Sequence, residues 1–151
     1  MTEREVVSWD DVAGMCRQLS DRLRPAAIDA ILGIARGGLV PTALLAQELC
    51  LRNVLVASVA SYEGDRRGKV AFLQFPPPSE LLGRRVLVVD DIWDTGRTLH
   101  AVRRRAEEHA ATVTVAVLHY KPAASHLRHL SPDLWCRETA AWIVYPWERD
   151  L

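Results

Sequence analysis

No charge of either sign prevails in this chain. Nineteen lysines and arginines face nineteen aspartates and glutamates, for a formal net charge of zero. Without a basic excess there is no global electrostatic argument for nucleic acid or an anionic membrane as a partner. No apolar run approaches the roughly 18 residues that a membrane span needs. Cysteines number only three. Cys16, Cys50 and Cys136 are far apart and lack the spacing of a zinc or redox motif. A reduced, cytoplasmic compartment is the expectation that follows. The opening residues Met1-Thr2-Glu3-Arg4-Glu5 mix polar and charged types, unlike a signal peptide. There is no Gly-Lys-Ser/Thr phosphate loop, no G-x-G-x-x-G fingerprint, no internal repeat and no low-complexity tract.

What is present is enough apolar material, 49% of 151 residues, for a single domain with one core. The most informative stretch begins at Val86-Leu87-Val88-Val89. It is short, apolar and rich in β-branched residues, the pattern of a strand buried on both faces (85–89). Asp90 and Asp91 follow where that strand should emerge. Then come Ile92, Trp93 and a tight turn, Asp94-Thr95-Gly96-Arg97-Thr98, before a helix predicted over 99–110 with Thr98 able to cap it. A strand, an acidic pair, a hydroxyl- and glycine-rich loop and a helix N-terminus suit a phosphorylated sugar. Backbone N–H groups of the loop and the helix dipole favour a phosphate. Thr95 and Thr98 add hydroxyls, and Gly96 allows close approach. Asp90 and Asp91 can accept from ribose hydroxyls or help hold a hydrated Mg²⁺.

The rest of the chain alternates helices and strands. Ser8 precedes a predicted amphipathic helix running to about Arg24, with Val12, Met15, Cys16, Leu19 and Leu23 on one face. Residues 30–34 form a short apolar strand that runs into Ala35-Arg36-Gly37-Gly38, either a plain βα turn or a second anion-binding loop. Pro41 suits the first turn of the next helix, expected to reach about Cys50. Residues 54–60 and 70–75 read as strands. Between them, Ser61, Tyr62, Arg66, Arg67 and Lys69 belong to a polar segment, 61–69, that is a surface hairpin or a mobile lid, the lid being favoured. Residues 113–118 form another buried strand, ending at His119-Tyr120-Lys121-Pro122. Residues 123–151 read as irregular and aromatic, with Trp142 either core or ligand-facing. The Arg103-Arg104-Arg105 run reads as a solvated helix face or a contact with a partner subunit. The fold expected is α/β, a mainly parallel sheet with helices on both faces, its ligand loops gathered at the carboxyl ends of the strands.

The stretch from Val86 to Thr98 closely resembles the 5-phosphoribosyl-1-pyrophosphate (PRPP) signature of type I phosphoribosyltransferases: four apolar residues, two acids, two variable positions, then Asp-Thr-Gly-x-Thr. Trp93 is bulkier than the small aliphatic residue usual there. The Ala-Arg-Gly-Gly turn, the Lys121-Pro122 pair and Trp142-Ile143 followed by Pro146-Trp147-Glu148 are similar to the purine branch, the xanthine-guanine and hypoxanthine enzymes. The resemblance covers about residues 30–148. It implies transfer of a phosphoribosyl group from PRPP to a 6-oxopurine, with Mg²⁺, in purine salvage. On it, Asp94, Thr95, Gly96, Arg97 and Thr98 hold the 5-phosphate, and Asp90 and Asp91 hold the ribose and metal. Asp94 takes the purine N7 proton, and Ala35, Arg36, Gly37 and Gly38 bind pyrophosphate, the peptide before Arg36 being sometimes cis in the family. Lys121 meets the purine O6, Trp142 stacks, and Ile143 offers backbone groups from a small C-terminal hood, 121–151. A homodimer or homotetramer is implied, with Arg36 and the helix after it near the interface. Three alternatives stay open: a modified or 7-deaza purine as acceptor, a non-catalytic PRPP or nucleotide sensor of the same fold, and a phosphoryl-accepting receiver domain, whose acidic pair would lie nearer the N-terminus.

Overall fold

The computed structural model of the protein describes residues 2–61, 69–127 and 129–148. Its elements run β1 (Arg4–Val6), α1 (Trp9–Leu23), β2 (Ala30–Ala35), α2 (Leu39–Glu48), β3 (Val54–Ser61), β4 (Val70–Gln74), β5 (Arg85–Trp93), α3 (Arg97–Glu107), β6 (Thr112–Tyr120), β7 (Leu134–Glu138) and β8 (Trp142–Val144). Six strands form the central sheet in the order β4-β3-β2-β5-β6-β7. Every neighbouring pair is parallel except β3 with β4, which is antiparallel and carries an irregularity at Ser58/Val59. The expected mainly parallel α/β sheet is therefore what the chain builds.

Both faces of that sheet are covered, as its continuous apolar strands require. Alternation along β5 sorts the side chains: Leu87 and Val89 pack with α1 and α2, whereas Val86 and Val88 pack with α3. On the first face Val12, Met15, Cys16, Leu19 and Leu23 of α1 meet Ile31, Ala116 and Leu118. On the second, Leu99, Val102 and Ala106 of α3 meet Leu32, Val115 and Val117. α1 starts where Ser8 predicted. Ser8 Oγ accepts from the Asp11 N–H at 3.0 Å, and Asp11 Oδ2 accepts from the Ser8 N–H at 3.0 Å.

Four expectations need correction. β5 does not stop at Val89 but continues to Trp93, because β6 stays paired with it through Ile92↔His119 and Trp93↔Tyr120 after its pairing with β2 has ended at Val89. Asp90 and Asp91 thus lie inside the strand, on an extension paired on one side. Thr98 does not cap α3. The helix begins at Arg97 with Gly96 at its N-cap, φ +88°, and the Arg97 N–H is 3.4 Å from Thr95 Oγ1. The C-terminal segment is not wholly irregular: β7 extends the main sheet beside β6, and β8 pairs in parallel with β1. Nothing marked β1 as a strand, since its partner lies at the far end of the sequence. The arginine run is also more engaged than a solvated face. Arg103 bridges Asp133 at 2.8 Å and Glu107 at 3.1 Å, and the Arg105 guanidinium lies over Phe72 and Phe75 at 4.5 and 4.9 Å.

The bulk of Trp93 finds its place beneath the signature turn. The indole is buried in the α3-side core, its Nε1 donates to Ser125 Oγ at 3.2 Å, and Tyr120 meets it edge-on at 6.4 Å. A Cβ on Gly96 would stand 2.5 Å from two atoms of that ring. Gly96→Ala therefore meets both a left-handed backbone and a rigid aromatic floor, and should destabilise the protein by about 2–4 kcal/mol, a strained φ plus overpacking. Urea denaturation checks this, and a midpoint equal to wild type would show that the turn can rebuild itself.

Candidate functional site

The carboxyl ends of β2, β5 and β6 bring the predicted residues together. The signature forms a pocket of about 120 Å³ lined by Asp90, Asp91, Ile92, Trp93, Asp94, Thr95, Gly96, Thr98 and Leu99. Its mouth is the N-terminus of α3, so the free N–H groups of the first turn and the helix dipole bear on any anion bound there.

Beside it, the turn after β2 closes on the β5 extension. The Ala35–Arg36 peptide is cis, the geometry that the resemblance allowed. A Cβ at Gly37 would collide with the Asp91 carboxylate, and one at Gly38 would lie 2.6 Å from the carbonyl oxygens of Ile34 and Val89. Only glycine lets this turn lie so close to the acidic pair. The Arg36 side chain is exposed. Ala35, Arg36, Gly37 and Gly38 are thus neighbours of Asp91 in space, though fifty residues away in sequence.

Asp90 and Asp91 are half-buried, and the Asp91 N–H donates to Asp90 Oδ1 at 2.8 Å. Loss of hydration raises the pKa of Asp90 well above the ordinary carboxylate value, and the neighbouring charge of Asp91 raises it further. Burial raises that of Asp91 too, against the hydrogen bonds with Asp90 and the Ile92 backbone that lower it. Two oxygen-bearing acids held close together at a cost in hydration suit a hard divalent cation. No group of three or more His, Cys, Asp or Glu capable of holding a metal occurs among the described residues.

On the other flank, Lys121 is not an ordinary exposed lysine. The residue is only 8% accessible, and its Nζ lies 3.8 Å from Asp94 Oδ2 and 5.7 Å from the centre of the Trp142 ring. Its backbone N–H donates to the Trp93 carbonyl at 2.9 Å, which ties the end of β6 to the end of β5. Trp142 is 54% accessible, so the core alternative fails for it. The Ile143 side chain is the one that enters the core. In the parallel β1–β8 pair, the Trp142 N–H donates to Glu3 and the Val144 carbonyl accepts from Val7. Alternation then turns the N–H and C=O of Ile143 toward the opposite edge. Of the lid residues, Ser61 ends β3 and Lys69 is exposed just before β4, while Tyr62, Arg66 and Arg67 lie outside the described residues.

Two residues without an assigned part in the sequence reading stand at the centre of this arrangement. The Tyr145 hydroxyl is 3.1 Å from the Asp91 carbonyl oxygen and 2.7 Å from His119 Nδ1. Burial lowers the His119 pKa to about 4, so the ring is neutral near pH 7. Burial and the nearby Asp91 and Asp90 carboxylates raise that of Tyr145, which keeps its proton. A signal was available. A histidine closing the apolar run of β6 must find a partner if it is buried.

The raised pKa of Asp90 has a stability sign. An acid held protonated more tightly when folded contributes stability below its unfolded pKa of about 4, and this is lost as pH rises through the higher folded value. At neutral pH the burial of this acid therefore opposes folding. Asp90→Asn, which keeps an acceptor for the Asp91 N–H, should raise the thermal midpoint of the ligand-free protein at pH 7.5 by a few degrees, with the difference closing toward pH 4. Scanning calorimetry at both pH values measures this, and a lower midpoint for the variant at pH 7.5 would contradict it.

Known proteins share this fold. The phosphoribosyl transferase domain model matches residues 7–148. A purine phosphoribosyltransferase from Pyrococcus horikoshii superposes with a TM-score of 0.84 at 31% identity, over 98% of this chain and 96% of its own. A protein from Neisseria gonorrhoeae with bound ppGpp gives 0.85 at 28% identity, over 99% and 91%. The xanthine-guanine-hypoxanthine phosphoribosyltransferase of Helicobacter pylori gives 0.82 at 22%, over 97% and 94%, a likeness of fold. The match over residues 7–148, with a relative 31% identical over 98% of this chain, shows that the chain belongs to the phosphoribosyl transferase domain family.

Proposed function

We propose that the protein transfers the 5-phosphoribosyl group of PRPP to a 6-oxopurine base, guanine, xanthine or hypoxanthine, and releases pyrophosphate, as a purine-salvage enzyme. The observation that carries this reading is the position of Lys121, a buried ammonium between the Asp94 carboxylate and the open face of Trp142. A purine stacked on that face would meet one donor and one proton acceptor on its edge.

The chemistry follows from the residues. Departure of an anomeric pyrophosphate leaves an oxocarbenium-like ribose, so catalysis is largely electrostatics and positioning. Thr95, Gly96, Arg97 and Thr98, at the start of α3, bind the 5-phosphate. Ala35, Arg36, Gly37 and Gly38 bind the pyrophosphate, and Asp90 and Asp91 orient the ribose hydroxyls. Mg²⁺, held by substrate oxygens with Asp90 and Asp91 directly or through water, would neutralise the leaving pyrophosphate. Asp94 takes the N7 proton of the base. Its 3.8 Å contact with Lys121 is longer than a charge-assisted hydrogen bond, so both groups are free to turn to a ligand. Lys121 donates to O6, Trp142 stacks, and the Ile143 backbone serves the polar edge. The ppGpp of the Neisseria relative carries a guanine, a ribose and phosphates, the same parts that these loops would bind. The assembly that goes with this reading is a homodimer or homotetramer in the cytoplasm, with Arg36 and the exposed Leu39 of α2 near the interface. No helix among the described residues is long and apolar enough to cross a membrane.

Acceptor choice tests the reading most sharply. Lys121 supplies donors only, and the 6-amino group of adenine would leave that ammonium unpaired. Wild-type protein should use adenine at least ~10²-fold less well than hypoxanthine, guanine or xanthine. Lys121→Met should lose 6-oxopurine turnover with PRPP affinity retained. Pyrophosphate release against a panel of bases decides the matter, and comparable specificity constants for adenine and hypoxanthine would reject the assignment.

The role of Asp94 makes a separate claim. Asp94→Asn should bind PRPP nearly as well as wild type and turn over ~10²–10⁴-fold more slowly, the usual worth of general acid–base catalysis. Turnover within a few-fold of wild type in steady-state assays would remove Asp94 from the proton path.

A further inference from the structure

Tyr145 solves an accounting problem. β5 pairs with β2 only as far as Val89, so backbone groups on that side of its extension need other partners. The Asp91 carbonyl has the Tyr145 hydroxyl, at 3.1 Å. A phenol carries one proton. The carbonyl can only accept, so the phenol donates to Asp91 and must accept from His119 Nδ1, 2.7 Å away. This fixes the tautomer of His119, with the proton on Nδ1 and none on Nε2. His119 Nε2 is buried with no partner among the described residues, as that tautomer leaves it.

The phenol is held from every side. Its ring stacks on Trp147 at 4.7 Å with 4° between planes, His119 meets it at 5.5 Å, and Trp147 packs on Trp9 at 6.0 Å. Tyr145 directly follows β8, which carries Trp142 and Ile143. Asp91, at the other end of the hydrogen bond, occupies with its carboxylate the space a Cβ on Gly37 would need. One continuous set of contacts therefore joins the strand bearing Trp142, the acidic pair and the Arg36-Gly37-Gly38 turn.

We propose that Tyr145, oriented by His119, is a positioning residue for phosphoribosyl transfer: its hydroxyl fixes the Asp91 peptide, and with it the carboxylate that meets the ribose, to the strand that receives the base. The inference rests on the reaction proposed above. It predicts a split between parameters that simple loss of packing would not produce, because Tyr145→Phe keeps the ring and its stacking on Trp147.

Tyr145→Phe should lower kcat/KM for PRPP about five- to a hundredfold, the range expected when a buried carbonyl loses its partner. KM for the base should stay within twofold and the thermal midpoint within a few degrees. His119→Asn, whose side-chain N–H can reproduce the Nδ1 donor, should keep most of the activity, whereas His119→Leu should fall toward Tyr145→Phe. Nitrogen-15 spectra of the wild-type protein at neutral pH should show His119 protonated on Nδ1 and bare on Nε2. Wild-type PRPP kinetics in Tyr145→Phe, or the opposite tautomer, would overturn the proposal. If the wild type releases no pyrophosphate with any 6-oxopurine, the proposed reaction fails. The relay is then decided by the spectra and by calorimetry of PRPP with Mg²⁺, where unchanged affinity in Tyr145→Phe would reject it.

Discussion

β5 outruns its neighbour, and the site is built on that mismatch. The strand keeps β6 through Trp93 while β2 turns away after Val89. A strand end paired on one side only exposes polar backbone in the middle of a protein, and something must cover it. The glycines of the β2 turn come down against Val89 and Asp91, and the Tyr145 hydroxyl takes the Asp91 carbonyl. The same opening leaves room for two carboxylates at the top of the sheet. A sheet whose strands ended flush would have no such recess, which is why ligands gather at strand ends in folds of this kind.

The recess is electrostatically unfavourable when empty. Asp90 and Asp91 lose hydration and repel each other, and among the described residues the bonds that soften this are local ones. The buried ammonium of Lys121 is turned to Asp94 instead. Charge is therefore segregated across the site, acid in the recess and ammonium at the Trp142 side. In the proposed reaction a divalent cation with a polyhydroxyl substrate would answer the first, and a carbonyl-bearing base the second. Stability spent at such positions is the usual counterpart of function.

Much of this was legible in the residues. The apolar, β-branched runs gave a parallel sheet covered on both faces, because only such a sheet hides strands on two sides. The order Asp90-Asp91 to Thr98 gave the pocket, since its members are contiguous and local chemistry sufficed. What sequence could not supply was pairing at a distance. The continuation of β5 depends on β6, β8 depends on β1, and the tie between Tyr145 and Asp91 spans fifty-four positions. Thr98 looked like a cap because it precedes an apolar helical pattern. The helix starts earlier because Gly96 can take a left-handed φ over the Trp93 ring, a fact of tertiary packing. Trp93, bulkier than the residue usual at its place, forms the floor beneath the signature turn.

The pairing of β1 with β8 has a bearing on how the molecule comes into being. Arg4 lies opposite Trp142, so this ladder closes a loop on the order of 140 residues, an entropic cost that local contacts do not share. β2, β5 and β6, with the turns that follow them, can assemble while the chain is still being synthesised. The strand that carries Trp142 is made well after β1, and must then find that earlier strand as its partner. In the nascent chain the loops that follow β2 and β5 can therefore take shape before the strand that carries Trp142 has a place in the fold.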